Sequence, residues 1–120
     1  MKKILTIAGS DSGGGAGIQT DLKTIALLGG YGTSVLTALT AQNTLGVQGV
    51  HPVPETFIRQ QMDSVLTDIG TESLKIGMLA TSGIVRTVAE GLRALTTAPV
   101  VLDPVMVATS GDRLLDPTGR

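Results

Sequence analysis

A glycine-rich turn, Gly9-Ser10-Asp11-Ser12-Gly13-Gly14-Gly15-Ala16-Gly17, separates an apolar run (Ile4, Leu5, Ile7, Ala8) from a helix-like one. A turn of this kind between strand and helix lets backbone N–H groups approach a ligand with no side chain in the way. Those donors, with the positive end of the following helix, favour an anionic or polar guest. The run is not a Walker A loop, since no Gly-Lys-Ser/Thr closes it, and Gly13 to Gly17 do not spell the dinucleotide fingerprint. A plain strand-to-helix turn is the alternative, but four glycines in five positions exceed what a turn requires.

Behind the turn, strand and helix patterns alternate. Ile4 to Ala8 forms the first strand. Ile18, Leu22, Ile25, Ala26 and Leu28 recur at helical spacing until Gly29-Gly30 stops them. Ser34 to Ala41 reads as a second strand, and Gln42 to Val53 as a loop. Pro54 opens a second helix from its first turn, with Ile58, Met62, Val65, Leu66 and Ile69 on one face. Ser73 to Ile76 is a third strand, and Ser82 caps a third helix carrying Ile84, Val85, Val88, Leu92 and Leu95. Val100, Val101 and Leu102 make a fourth strand, apolar throughout, as expected where helices cover both faces.

Repeated strand–helix–strand units predict an α/β fold with a parallel sheet and right-handed crossovers. Ligands of such sheets bind beyond the carboxyl ends of the strands. The four strands end in Gly9-Ser10-Asp11, Ala41-Gln42-Asn43-Thr44, Gly77-Met78 and Asp103-Pro104-Val105-Met106. Each group has a plain reading alone: Gln42 as loop, Met78 as core, Asp103 as a turn before proline, Asp21 as a partner of the helix dipole. Together on one edge they point to a site.

Composition removes several functions. A chain of 120 residues with net charge −1 carries no basic surface for nucleic acid, and Lys2-Lys3 is too short a cluster. Without cysteine there are no disulfides, thiolate metal sites or cysteine nucleophiles. The apolar runs are too short and broken for a membrane span, and the stretch after Met1-Lys2-Lys3 is too short for a signal peptide core. A cytoplasmic location is expected. The single Tyr31 and Phe57 leave no aromatic cage, so a flat ligand would lie against aliphatic and methionine surfaces. His51, the one histidine, is expected in a solvated loop.

The stretch from Ala8 to Thr24 resembles the amino-terminal signature of bacterial hydroxymethylpyrimidine/phosphomethylpyrimidine kinases, of the ribokinase-like superfamily. Thr40-Ala41-Gln42-Asn43-Thr44, Lys75-Ile76-Gly77-Met78-Leu79, Val101 to Val107 and Ser110-Gly111-Asp112 match in the same order, end to end. The resemblance implies a three-layer α/β sandwich of parallel units, incomplete in this chain. It also implies ATP- and Mg2+-dependent phosphorylation of 4-amino-5-hydroxymethyl-2-methylpyrimidine, then of its monophosphate, in thiamin biosynthesis. By that resemblance Asp21 and Gln42 bond the polar edge of the aminopyrimidine, and Gly9, Ala16, Met78 and Val105 wall the ring. Asp103 would influence the phosphate and metal side, and Ser12, Gly13, Gly14 and Gly15 would lie near the transferred phosphate or act as a flap. A homo-oligomer is expected.

Members of that family are about twice this length. Their Asn-x-x-Glu motif, Gly-Thr-Gly loop and catalytic residue are not among these 120 residues. Asp116-Pro117 reads as a helix start about one turn before Arg120. Residues 1–120 are therefore expected to be the acceptor-binding part of one kinase domain, with no catalytic residue and no phosphoryl transfer by this chain alone. The alternatives are a pyridoxine or pyridoxal kinase of the same superfamily, a binding module that holds a pyrimidine without phosphorylating it, and a defective fragment. Ala41 to Val50 resembles the pyrimidine enzymes more closely.

Overall fold

The computed structural model describes residues 1–102. Asp103, Val105 and the motif from Ser110 lie outside them. The chain order is β1 (Lys3–Asp11), α1 (Gly17–Leu27), β2 (Tyr31–Asn43), β3 (Gly46–Pro52), α2 (Glu55–Ser64), β4 (Ser73–Ile76), α3 (Ser82–Leu95) and β5 (Val100–Leu102). The sheet order is β3-β2-β1-β4-β5. β1 pairs in parallel with β2 and with β4, and β4 with β5.

Residues 5 to 9 of β1 are all buried because helices cover both faces of this central strand. On one face Leu5, Ile7, Val35, Leu74 and Ile76 meet Ile58 and Met62 of α2 and Ile84 and Val88 of α3. On the other face α1 buries Ile18 and Ile25. The result is the expected helix–sheet–helix sandwich.

The expected loop from Gln42 to Val53 is corrected. Its Gly46–Pro52 segment is β3, antiparallel to β2, with Ala38 opposite Pro52 and Asn43 opposite Gly46. Asn43 Oδ1 accepts the Leu45 N–H at 2.9 Å and turns the chain back. Every residue of β3 is exposed, so no buried alternation announced it. His51 therefore lies in a strand, opposite Leu39, and is solvent-exposed.

Three helix details also differ. Pro54 stands just before α2, with φ −54° and ψ 139°, and its carbonyl accepts from Phe57 and Ile58 N–H. The expected run to Ile69 leaves α-geometry at Val65, where Val65–Ile69 forms a wider turn closed by Gly70 N–H on the Val65 carbonyl at 2.8 Å. The cap of α3 is Thr81 rather than Ser82, its Oγ1 accepting the Ile84 N–H at 3.2 Å. At the sheet edge, Val100, Val101 and Leu102 are 42%, 62% and 67% exposed, against the expectation of a strand covered on both faces. Among the described residues no helix is long and apolar enough to cross a membrane.

Candidate functional site

The carboxyl ends of β1, β2 and β4 converge as the topology requires. A β-carbon at Gly9 would lie 3.5 Å from Met78 Cε and 3.7 Å from the Ala38 carbonyl oxygen, so Gly9 and Met78 are neighbours across the strand ends. Met78 is half-buried, and its carbonyl accepts from Thr37 Oγ1 at 3.4 Å. Ser12 reaches over to Gln42. Its Oγ donates to the Gln42 carbonyl at 2.8 Å and accepts the Gln42 N–H at 2.7 Å. Gln42 Oε1 accepts from Thr40 Oγ1 at 3.0 Å, whereas Nε2 has no partner among the described residues.

The glycine turn is ordered from within. Asp11, 6% exposed, accepts the Gly13 N–H on Oδ1 at 2.7 Å and the Gly15 N–H on Oδ2 at 2.9 Å. Its carbonyl accepts the Gly14 N–H at 3.0 Å. A carboxylate two and four residues earlier thus holds the Gly13 and Gly15 amides. Asp11 carried a readable signal that the site reasoning left unused: an aspartate two residues before a glycine is an Asx-turn former. Gln19 was also missed. It clamps α1 to β1, accepting the Asp11 N–H at 2.8 Å and donating to Ser10 Oγ at 2.7 Å.

Gly17 is the tightest point. Its φ is +62°, and a β-carbon there would collide with the Gly9 carbonyl. Only glycine meets both conditions without strain. Ala16 before it caps α1 with extended backbone and makes no side-chain cap bond.

Asp21 stands one turn into α1, where Oδ2 accepts from Thr6 Oγ1 at 2.6 Å and Oδ1 pairs with Lys75 Nζ at 2.5 Å. Asp21 borders a recess of about 360 Å³ on the α1 side, with Ile4, Ile25 and Val101 on its other walls. Lys75 and Thr6 were not singled out from the sequence, because a lysine and a threonine within strands carry no spacing signal.

Parallel units of this order, with a glycine turn leaving the central strand, define a ribokinase-like α/β fold. The crystal structure of phosphomethylpyrimidine kinase from Clostridium difficile 630 superposes with a TM-score of 0.93 at 46% identity, over 99% of this chain and 52% of that one. Pyridoxal kinase from Staphylococcus aureus, solved with AMP-PCP, gives 0.79 at 41% identity, over 92% and 40%. The hydroxymethylpyrimidine/phosphomethylpyrimidine kinase of Escherichia coli K12 is 56% identical over 120 residues, 98% of this chain and 45% of that protein. The phosphomethylpyrimidine kinase family model matches residues 11–120, and the chain belongs to that family. It spans about half the length of these single-function kinases, and 20% of a probable thiamine biosynthetic bifunctional enzyme of Oryza sativa, to which it is 59% identical.

Proposed function

We propose that residues 1–120 supply the acceptor side of an ATP-dependent kinase for 4-amino-5-hydroxymethyl-2-methylpyrimidine and then for its monophosphate, in thiamin biosynthesis. The observation that carries this reading is that Gly9 lies beside Met78 at the strand ends, while Ser12 fixes Gln42 at the end of β2. Gly9 and Met78 offer a smooth apolar wall for a flat heterocycle without aromatic stacking. Gln42 offers what an aminopyrimidine edge needs: Nε2 donates to a ring nitrogen, and Oε1 accepts from the exocyclic amine. Ala16 and Val105 belong to the same wall in this reading, and Asp103 to the phosphate side.

In the transfer, the hydroxymethyl oxygen bonds to the γ-phosphorus of ATP as the bond from that phosphorus to the β,γ-bridging oxygen breaks, ADP leaves, and the hydroxyl proton passes to solvent. The second turnover repeats this on a phosphate oxygen. ATP with Mg2+ supplies the phosphoryl group and charge neutralisation. The described residues hold no group of three His, Cys, Asp or Glu fit for a metal ion, and the Gly13 to Gly15 amides are engaged by Asp11. The part proposed for this chain is acceptor binding, and by the family resemblance the catalytic residue lies outside it. A cytoplasmic homo-oligomer belongs to the same reading.

The test is isothermal titration of the aminopyrimidine alcohol into the polypeptide carrying this chain, beside coupled ADP release. Binding with release of ADP supports the proposal. Preference for pyridoxal favours the vitamin B6 reading that the Staphylococcus aureus neighbour suggests. Binding without turnover in the whole polypeptide favours a pyrimidine-holding module.

A further inference from the structure

The two acceptors proposed above differ by one phosphate, and Gly9, Met78 and Gln42 carry no charge that could tell them apart. A cation does stand at the glycine turn. Gln19 and Lys23 lie one helical turn apart on the same face of α1. Gln19 bonds the end of β1 through the Asp11 N–H and Ser10 Oγ, which directs this face toward the turn. Helical side chains lean toward the amino end, so the Lys23 stem runs back along that face. Its Nζ donates to the Gly14 carbonyl at 3.1 Å.

The turn rests in its own right on the residue assigned to the acceptor. A β-carbon at Gly13 would lie 3.1 Å from the Gln42 carbonyl oxygen, and Ser12 bonds both Gln42 backbone groups. Lys23 is exposed, and Gly14 is its one hydrogen-bond partner among the described residues. An ammonium has three donors, so two of them are open to a ligand while the third stays on the turn. The opposing charge of Asp11 is turned inward: its carboxylate is engaged by the Gly13 and Gly15 N–H groups, and the residue is 6% exposed.

We propose that Lys23 binds the phosphate of the monophosphate acceptor, its ammonium bridging the Gly14 carbonyl and a phosphate oxygen. The inference rests on the acceptor-site reading above and adds to it the residue that separates the charged acceptor from the neutral alcohol. An ammonium already held at the turn loses less freedom on meeting an anion than an untethered one does.

Lys23→Met keeps the stem and removes the charge, and Lys23→Arg keeps the charge. Calorimetric titration of the alcohol and of the monophosphate into the polypeptide carrying this chain compares them with wild type. Lys23→Met should weaken monophosphate binding about three- to tenfold, and clearly more than it weakens the alcohol. Lys23→Arg should retain most of the affinity. Added salt should weaken the monophosphate in wild type and have little effect in Lys23→Met. An equal loss for both ligands would make Lys23 a latch on the turn alone and overturn the proposal. So would unaltered monophosphate binding, with or without a raised KM for ATP. Wild type that binds both acceptors while Lys23→Met matches it sinks this inference only. Wild type that binds neither sinks the acceptor-site reading, and the inference with it.

Discussion

Ser12 and Gln42 are bonded to each other twice through one hydroxyl, which donates to the Gln42 carbonyl at 2.8 Å and accepts its N–H at 2.7 Å. The serine completes a strand pairing that β1 itself no longer reaches. It fixes the backbone of the residue whose carboxamide is assigned to the acceptor.

Removal of that hydroxyl should matter more for binding than for folding. Both Gln42 backbone groups lie where water reaches them, so Ser12→Ala should cost about 1 kcal/mol of stability. The Kd for the aminopyrimidine alcohol should rise several-fold, and Ser12→Thr should restore it. Urea unfolding and calorimetric titration check the two halves.

Gln42→Ala should discriminate between the two substrates. Loss of a donor and an acceptor at the heterocycle should weaken the aminopyrimidine by about tenfold, in the range of one or two neutral hydrogen bonds. The KM for ATP should not move. A change in KM for ATP alone would take Gln42 out of the acceptor site.

Gly17→Ala should be the most damaging single methyl in the turn. The left-handed φ of +62° and the collision with the Gly9 carbonyl act together. A loss of about 2–4 kcal/mol is expected in chemical denaturation. Gly49→Ala is the control, since a β-carbon there meets nothing closer than the Ala41 side chain at 3.9 Å.

The α2–α3 contact should behave as an interlocking pair. A β-carbon at Gly91 would lie 2.6 Å from Met62 Cε and 2.7 Å from Sδ, and Met62 is wholly buried. Gly91→Ala should cost about 1–3 kcal/mol through overpacking. Met62→Ala alone should cost about 2–5 kcal/mol. Adding Gly91→Ala to that background should return about 1 kcal/mol, since alanine is the better helix former. Thermal melts of the four proteins close the cycle.

The apolar outer strand predicts poor colloidal behaviour. With Val100, Val101 and Leu102 exposed on β5, the isolated chain should associate unless this edge is covered. Val101→Lys should lower its light scattering without lowering its Tm. Unchanged scattering would move the association elsewhere.

Much of this architecture could be read from the residues, because the strands and helices that bury one face announce themselves by period. Leu5, Ile7, Ile58, Met62, Ile84 and Val88 all stand in the core where their spacing put them. β3 escaped notice for the opposite reason, since a strand exposed at every position has no apolar alternation. At the site, the closeness of Gly9 and Met78 followed from the rule for strand ends. The partners of Asp21, Thr6 and Lys75, did not follow, because register along β1 and β4 decides which strand residues a helix carboxylate meets, and sequence spacing is silent about it. The engagement of the Gly13 and Gly15 amides by Asp11 was legible only through the Asx-turn signal, which says nothing of a guest.

The sheet order has a consequence for how the chain is made. β1 is central in space but first in sequence, and its β4 neighbour pairs Ser73 with Ile4. At about 5–20 residues per second, the ribosome takes several seconds to deliver the one after the other. During that interval β1 can pair with β2 on one side only, while Leu5 and Ile7 await the helices that cover them. Nascent chains therefore pass through a stage with the middle of the sheet open, and a folding helper that shields that half-built seam would raise the yield more than one acting on the finished surface.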